Sequence, residues 1–304
     1  MFQSKNSTSE SNHPNVHILF RDSNVIDDCL QCGPGLADKP SGAYGLIPIK
    51  ASYSGPVFQA SRSSDYSTQD FYAHPDGSYW TTVDSTGQRI GEWLNGAAAY
   101  CAKWYDQSGA GNHATQANAQ LQPIVDYTNF AMDFTAGDGK AYFALPTGTV
   151  PQSIAYTVTV RHGLINHPLG GWLGGGALRT NGCNAFRREF SAYVNYWYLN
   201  DFSAGFYFPG NIITHKYDGT LMEYMYTNGT LTASVAKGTG WAGVSGNEFM
   251  GRTISDAQET LNGTLNYIYI FKSNLTDAKR SLIEAGAYGK LSCPFSLFVL
   301  FYMP

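Results

Sequence analysis

Lys103-Trp104-Tyr105-Asp106-Gln107-Ser108-Gly109-Ala110-Gly111-Asn112-His113-Ala114-Thr115-Gln116 reads as a strand that ends in a glycine-punctuated turn. The turn holds an Asp, a Gln, an Asn and a His. Side chains of this kind satisfy one another and the backbone when a turn is buried. The reading is therefore structural: Asp106 accepts N–H groups from its own Ser108-Gly109-Ala110-Gly111 turn, and Trp104 packs inward. Gln107, Asn112 and His113 belong to the same motif. Read instead as a metal or catalytic cluster, the four polar residues lack the ligand geometry of any common metal site. A second stretch, Ser52-Tyr53-Ser54-Gly55-Pro56 running on to Arg62-Ser63-Ser64-Asp65, precedes it. There Arg62 and Asp65 are expected to form a buried or half-buried ion pair.

Outward from these two stretches the chain reads as short strands and turns. Tyr156 to Val160 alternates like a strand and opens the second half. Tyr193 to Leu199, Gly205 to Phe208, Ile212 to Tyr217 and Leu221 to Thr227 follow. Asn228-Gly229 then separates Leu221–Thr227 from Leu231–Val235, the strongest short-range signal for a hairpin. Leu265 to Phe271 is a further strand. Thr276 is placed to cap a short helix through Tyr288, with Gly289 ending it. One other helix is expected in the Ala-rich segment Gly91 to Tyr100.

The composition fits this pattern. Charged residues are only 14% of the 304, against the usual quarter, whereas Tyr (21) and Gly (33) are abundant. Such a chain suits strands with polar outer faces and tight turns. The net charge of −4, with no Lys/Arg run longer than Arg187-Arg188, excludes nucleic-acid binding. The five cysteines are not an even disulfide set. Cys29-x-x-Cys32 is open to three readings: a local disulfide, half a metal site or two free thiols, with free or singly bridged cysteines favoured.

The two quoted stretches resemble the N-terminal block of the α-L-arabinofuranosidase B catalytic domain, which is reused in surface proteins of bacteria, phages and large DNA viruses. A second resemblance covers the closing segment. Gly251-Arg252, Leu261-Asn262-Gly263-Thr264-Leu265-Asn266-Tyr267-Ile268-Tyr269-Ile270-Phe271 and Leu275-Thr276-Asp277-Ala278 are similar to the end of laminin-G-like and concanavalin-like lectin domains. Together they imply an all-β, antiparallel two-sheet concanavalin A/laminin-G-like sandwich (a jelly roll) with one short C-terminal helix. Three parts are expected: an arm at 1–42, partly disordered or ordered by a partner, the sandwich at 43–290, and an apolar tail at 291–304.

The arabinofuranosidase resemblance also implies a pair of catalytic carboxylates. Asp256 stands at the acid/base position by its spacing before Gly263-Thr264, and Glu189 is the better spaced nucleophile, Glu223 being too near. The family's Gly-Gly before the acid reads Arg252-Thr253 here. Its adjacent-cysteine pair is reduced to Cys183 followed by Asn184. The expected protein is therefore a non-catalytic module, with an arabinofuranosidase-type hydrolase and a soluble lectin as the alternatives. Glycan binding falls to Trp172, Trp197, Tyr198, Asn200, Asp201 and Trp241, aromatic platforms beside amide or carboxylate groups. No cofactor is expected, save for a calcium ion that the superfamily admits, with Asp133 and Asp138 as its best oxygen donors.

Residues 1–15 are polar and no apolar stretch follows, so no signal peptide is seen, and the last apolar run, 295–303, is too short to span a bilayer. A sandwich of the secreted type without an export signal points to a virion or another external surface. The expected partners are the other structural proteins of an assembly, met through the arm and the tail, and host glycans.

Overall fold

The computed structural model describes residues 39–47, 49, 53–73, 82–136, 140–149, 155–167, 173–175, 212–220, 222–236, 248–252 and 261–291. Residues 1–38 of the arm, Cys29 and Cys32 among them, the strands expected at 193–199 and 205–208, and the tail beyond Leu291 lie outside them; the last residues of the expected arm, Pro40 to Gly42, belong to β1.

The described chain is a β-sandwich in which all strand pairings are antiparallel. In one layer β2 (Phe58–Arg62) lies between β3 (Thr68–Ala73) and β5 (Ala99–Trp104), with β4 (Thr82–Val83) beyond β3. That layer continues through β6 (Ala114–Thr115), β9 (Phe143–Leu145), β15 (Glu248–Met250) and β11 (Leu173–Gly175). The other layer centres on β16 (Asn262–Phe271), flanked by β1 (Pro40–Gly45) and β10 (Tyr156–His167). It continues through β12 (Ile212–Tyr217), β13 (Met222–Thr227) and β14 (Thr230–Ala236). The short strands β7 (Ile124–Asp126) and β8 (Ala131–Asp133) carry the hydrogen bonding from β5 around to β16.

The two layers share one core. Phe58, Phe71, Trp104 and Phe143 enter it from the first layer, and Tyr44, Val158, Ile213, Leu265, Ile268 and Ile270 from the second. Two β-bulges decide which residues reach it. Between Gln59 and Ala60 of β2 the partner residues step from Lys103 to Cys101, so Ala102 is an extra residue on β5. Lys103 thereby points outward while Cys101 and Trp104, an odd number of positions apart, are both fully buried. Opposite Arg161 and His162 of β10 the partners step from Tyr267 to Leu265, leaving Asn266 as the extra residue on β16. Its side-chain amide donates to the carbonyls of Asn129 and Phe130, which anchors the bulge. Beyond it Ile268 and Ile270 face the core, and Tyr267, Tyr269 and Phe271 face away.

That second face is covered by helix α2 (Asp277–Leu291). Tyr267, Tyr269, Phe271 and Ile212 form a smaller apolar cluster with Leu275 and with Ile283 of the helix. All six residues of β12 are buried for this reason: Ile213 and Tyr217 face the core, and Thr214 and Lys216 face the helix. Thr276 caps α2 by accepting the Lys279 N–H. The helix runs past Gly289 to Leu291, because an internal glycine lowers helix propensity without forbidding it. The helix expected at 91–100 is shorter than expected: α1 spans only Ile90–Leu94 and stops at Asn95 in a left-handed conformation. Ala99 and Tyr100 already belong to β5, where pairing with Arg62 and Ser61 overrides alanine's helical preference. The Asn228-Gly229 turn has both residues at positive φ, +50° and +83°, as a two-residue hairpin joining β13 and β14 requires.

Candidate functional site

Where β5 ends at Trp104, the chain turns beneath β1. Asp106 is buried and accepts four hydrogen bonds. Its Oδ1 accepts from the backbone N–H of Ala43 (2.9 Å) and of Ser108 (2.9 Å). Its Oδ2 accepts from the Ser108 hydroxyl (2.8 Å) and the Asn112 N–H (3.0 Å). Gln107, only 1% exposed, accepts the Ile49 N–H on Oε1 and donates from Nε2 to the Gly45 and Ile47 carbonyls. Asn112 donates from its side chain to the Ser41 carbonyl at 2.7 Å, and the buried Tyr44 hydroxyl donates to the Asn112 carbonyl. Burial raises the Tyr44 phenol well above its ordinary range, helped by Asp106 and Glu248, so it remains a donor. Gly109 and Gly111 stand at φ +87° and +77°, which lets so short a turn present its N–H groups inward.

The turn is thus a latch that joins β5 to β1 across 58 to 71 positions of sequence. Both carboxylate oxygens of Asp106 are engaged in holding it. Trp104 is fully buried against Tyr44 (5.8 Å between ring centroids) and Phe143 (6.1 Å).

His113 completes the latch. Its Nδ1 accepts the Asp106 backbone N–H (3.1 Å), and its ring meets Tyr105 edge-on at 5.0 Å. The accepting nitrogen must be unprotonated. Burial lowers the imidazole below its ordinary 6.5, against an upward pull from Asp106 and with a smaller downward push from Lys103. Because the folded value is depressed, the unfolded chain binds the proton first as the pH falls. The stability that neutral His113 contributes is full above about pH 6.5 and is lost as the pH drops through the folded value. Urea-unfolding midpoints taken from about pH 7.5 down to about pH 5 should fall, and His113→Gln should flatten that slope. An unchanged slope in the variant would assign the loss to other groups.

Arg62 and Asp65 do pair, with bonds of 3.1 and 2.6 Å, but at the surface: the Asp65 side chain is 47% exposed. Of the buried or half-buried pair expected, Arg62 is half-buried at 26% exposed and Asp65 is the exposed partner. The β2–β3 turn carries Asp65 outward, where its Oδ1 also accepts from the Ser67 N–H and hydroxyl. The Arg62 and Ser67 hydrogen bonds hold the Asp65 carboxyl well below the usual carboxylate range. Arg62 also donates to the Trp93 carbonyl, so the pair ties the turn to α1.

Glu189 and Asp256 lie outside the described residues, as do Trp172, Trp197, Tyr198, Asn200, Asp201, Trp241 and Asp138. Asp133 accepts the Thr135 N–H at 2.8 Å. Among the described residues no three His, Cys, Asp or Glu side chains are grouped to hold a metal, and no helix is long and apolar enough to cross a membrane. Two polar features had escaped the sequence reading. Glu248, 1% exposed, accepts the Gly148 N–H; nothing in its neighbours in sequence signals this. Asp70 accepts from the Tyr105 hydroxyl (2.9 Å) and the Gln59 amide (3.0 Å), and only the place of Tyr105 inside the motif hinted at it.

This sandwich is similar in fold to solved arabinofuranosidases. One is a GH54 α-L-arabinofuranosidase soaked with a cyclic sulfate inhibitor (TM-score 0.56), and another is an arabinofuranosidase complexed with arabinofuranosyl-α-1,2-xylobiose (TM-score 0.55). Each is 13% identical in sequence, and each match covers 82% of this chain and 62% of the other. The chain therefore spans less than two thirds of the length of these proteins, and the likeness is one of fold. No protein-family model matches the sequence, and no curated protein matches it.

Proposed function

We propose that the protein is a non-catalytic, carbohydrate-recognising β-sandwich module displayed on an external or particle surface. The observation that carries this reading is the use made of the Asp106 turn. The stretch whose sequence resembles the arabinofuranosidase block is spent on scaffold, with both carboxylate oxygens of Asp106 engaged in the latch. The sequence departures support it as well: Arg252-Thr253 stands in place of the family's Gly-Gly, and Cys183 is followed by Asn184. In this reading Trp172, Trp197, Tyr198, Asn200, Asp201 and Trp241 contact sugar, and the segments before β1 and after α2 dock the module to the proteins of an assembly. The alternative is a hydrolase of the arabinofuranosidase type that uses Glu189 and Asp256.

One experiment separates them. The full chain is incubated with an aryl α-L-arabinofuranoside and, separately, titrated with arabinofuranosyl-xylobiose and a panel of glycans. The expected outcome is binding to at least one glycan with no release of the aryl group. Turnover that disappears in Asp256→Asn would establish the hydrolase instead.

A further inference from the structure

The two outer faces of the sandwich are unlike. Helix α2 covers the face of β16, β10 and β12. The outer face of the other layer carries a single row of side chains drawn from six strands. The registers align Asp70 with Gln59, Gln59 with Lys103, Lys103 with Thr115, Thr115 with Ala144 and Ala144 with Phe249. Five strand spacings make this row about 24 Å long. The Ala102 bulge brings Lys103 into it.

The row has a trough-like make-up. Its middle, Thr115 and Ala144, is small and exposed. At one end Phe249 is half-buried, edge-on to Tyr142 at 5.4 Å, with the Arg252 guanidinium over both rings at 4.7 and 4.5 Å. At the other end Tyr72 stands two residues from Asp70 on the same face of β3, half-exposed. Asp70 is held by Tyr105 and Gln59 through Oδ1 alone, so its Oδ2 and the Gln59 carbonyl oxygen have no donor among the described residues. The Lys103 ammonium lies 5.1 Å from the Tyr105 ring centroid.

We infer that this face is a binding groove for an extended, neutral oligosaccharide lying across the strands. It rests on the carbohydrate reading above and adds a second sugar-contacting surface to the Trp197 group. The half-exposed Tyr72 ring at one end offers a stacking surface to a sugar ring, and Phe249 and Tyr142 with Arg252 over them close the other. Between them a fixed carboxylate oxygen, an amide oxygen and an ammonium accept from and donate to hydroxyl groups. The small middle residues leave room for several sugar units. The charges of Asp70 and Lys103 balance within the row, so a polyanion gains little there. A protein partner would want an apolar centre, and the centre of this row is polar or small.

The test uses the full chain and xylan-, arabinan- and glucan-derived oligosaccharides long enough to cross the face, read by titration calorimetry. The variants are Ala144→Arg, which fills the trough from an exposed position, Lys103→Ala, Trp197→Ala, and Leu231→Ser, exposed on β14 of the other layer, as the control. Circular dichroism checks each fold, and Thr115→Arg replaces Ala144→Arg if that chain does not fold. Ala144→Arg and Lys103→Ala should each weaken binding by about tenfold or more, with Leu231→Ser unchanged. Binding lost only in Trp197→Ala would overturn the groove and leave the carbohydrate reading standing. Binding to no neutral oligosaccharide would overturn the groove, and failure on the wider glycan panel would overturn both. Self-association abolished by Ala144→Arg would make the face an interface between copies and overturn the groove as well.

Discussion

Asp106→Ala is expected to destabilise the protein by about 3–5 kcal/mol, read as a large fall in the urea-unfolding midpoint. The side chain accepts from Ala43, from Asn112 and twice from Ser108, and it is 3% exposed. Its removal strands the Ala43 N–H in a fully buried position and frees the turn from β1. Each buried donor left without a partner costs about 1–3 kcal/mol. Asp106→Asn should cost less, about 1–3 kcal/mol. Its amide nitrogen can donate to the Ser108 hydroxyl but opposes the Asn112 N–H. A midpoint unchanged in the alanine variant would refute the latch.

Glu284→Ala should have an effect of similar size, about 3–5 kcal/mol, because it breaks a buried ion pair from one side. Glu284 accepts from Arg280 Nη1 at 2.5 Å and from the Thr214 hydroxyl at 2.6 Å, and both charged residues are nearly inaccessible. Arg280 would keep Asp277, 3.5 Å from its Nε on an exposed carboxylate, the Ser281 hydroxyl at 3.3 Å and the face of Tyr226 at 3.9 Å. Replacing both partners together, Arg280→Leu with Glu284→Met, should recover most of the loss, since neither charge is then left buried alone. If the double variant is as unstable as the single, the network contributes by shape and not by charge.

Some elements were legible because their signals are local. The Asn228-Gly229 turn needs only residues that tolerate positive φ, and it stands where the alternation on either side of it predicts a hairpin. Ile212 to Tyr217 is a strand with the expected bounds. The Asp106 turn was readable because its glycines and its polar residues lie within a few positions of each other. Its destination was not. Ser41, Ala43, Gly45, Ile47 and Ile49 are joined to it through the backbone, and a backbone group looks the same under any side chain.

From its sequence alone this chain is an antiparallel β-sandwich closed by a helix near its end, because alternation, turn residues and a helix cap are written in neighbouring positions. The tertiary structure decided which face each side chain serves. The bulges at Ala102 and Asn266 reverse the alternation, and they arise from the register of paired strands that lie far apart in sequence. The depth of Asp65, the pairing of Glu284 with Thr214 and the row from Asp70 to Phe249 follow from the same cause. Register is set by the sum of pairings across a sheet, and no single stretch of chain contains that sum.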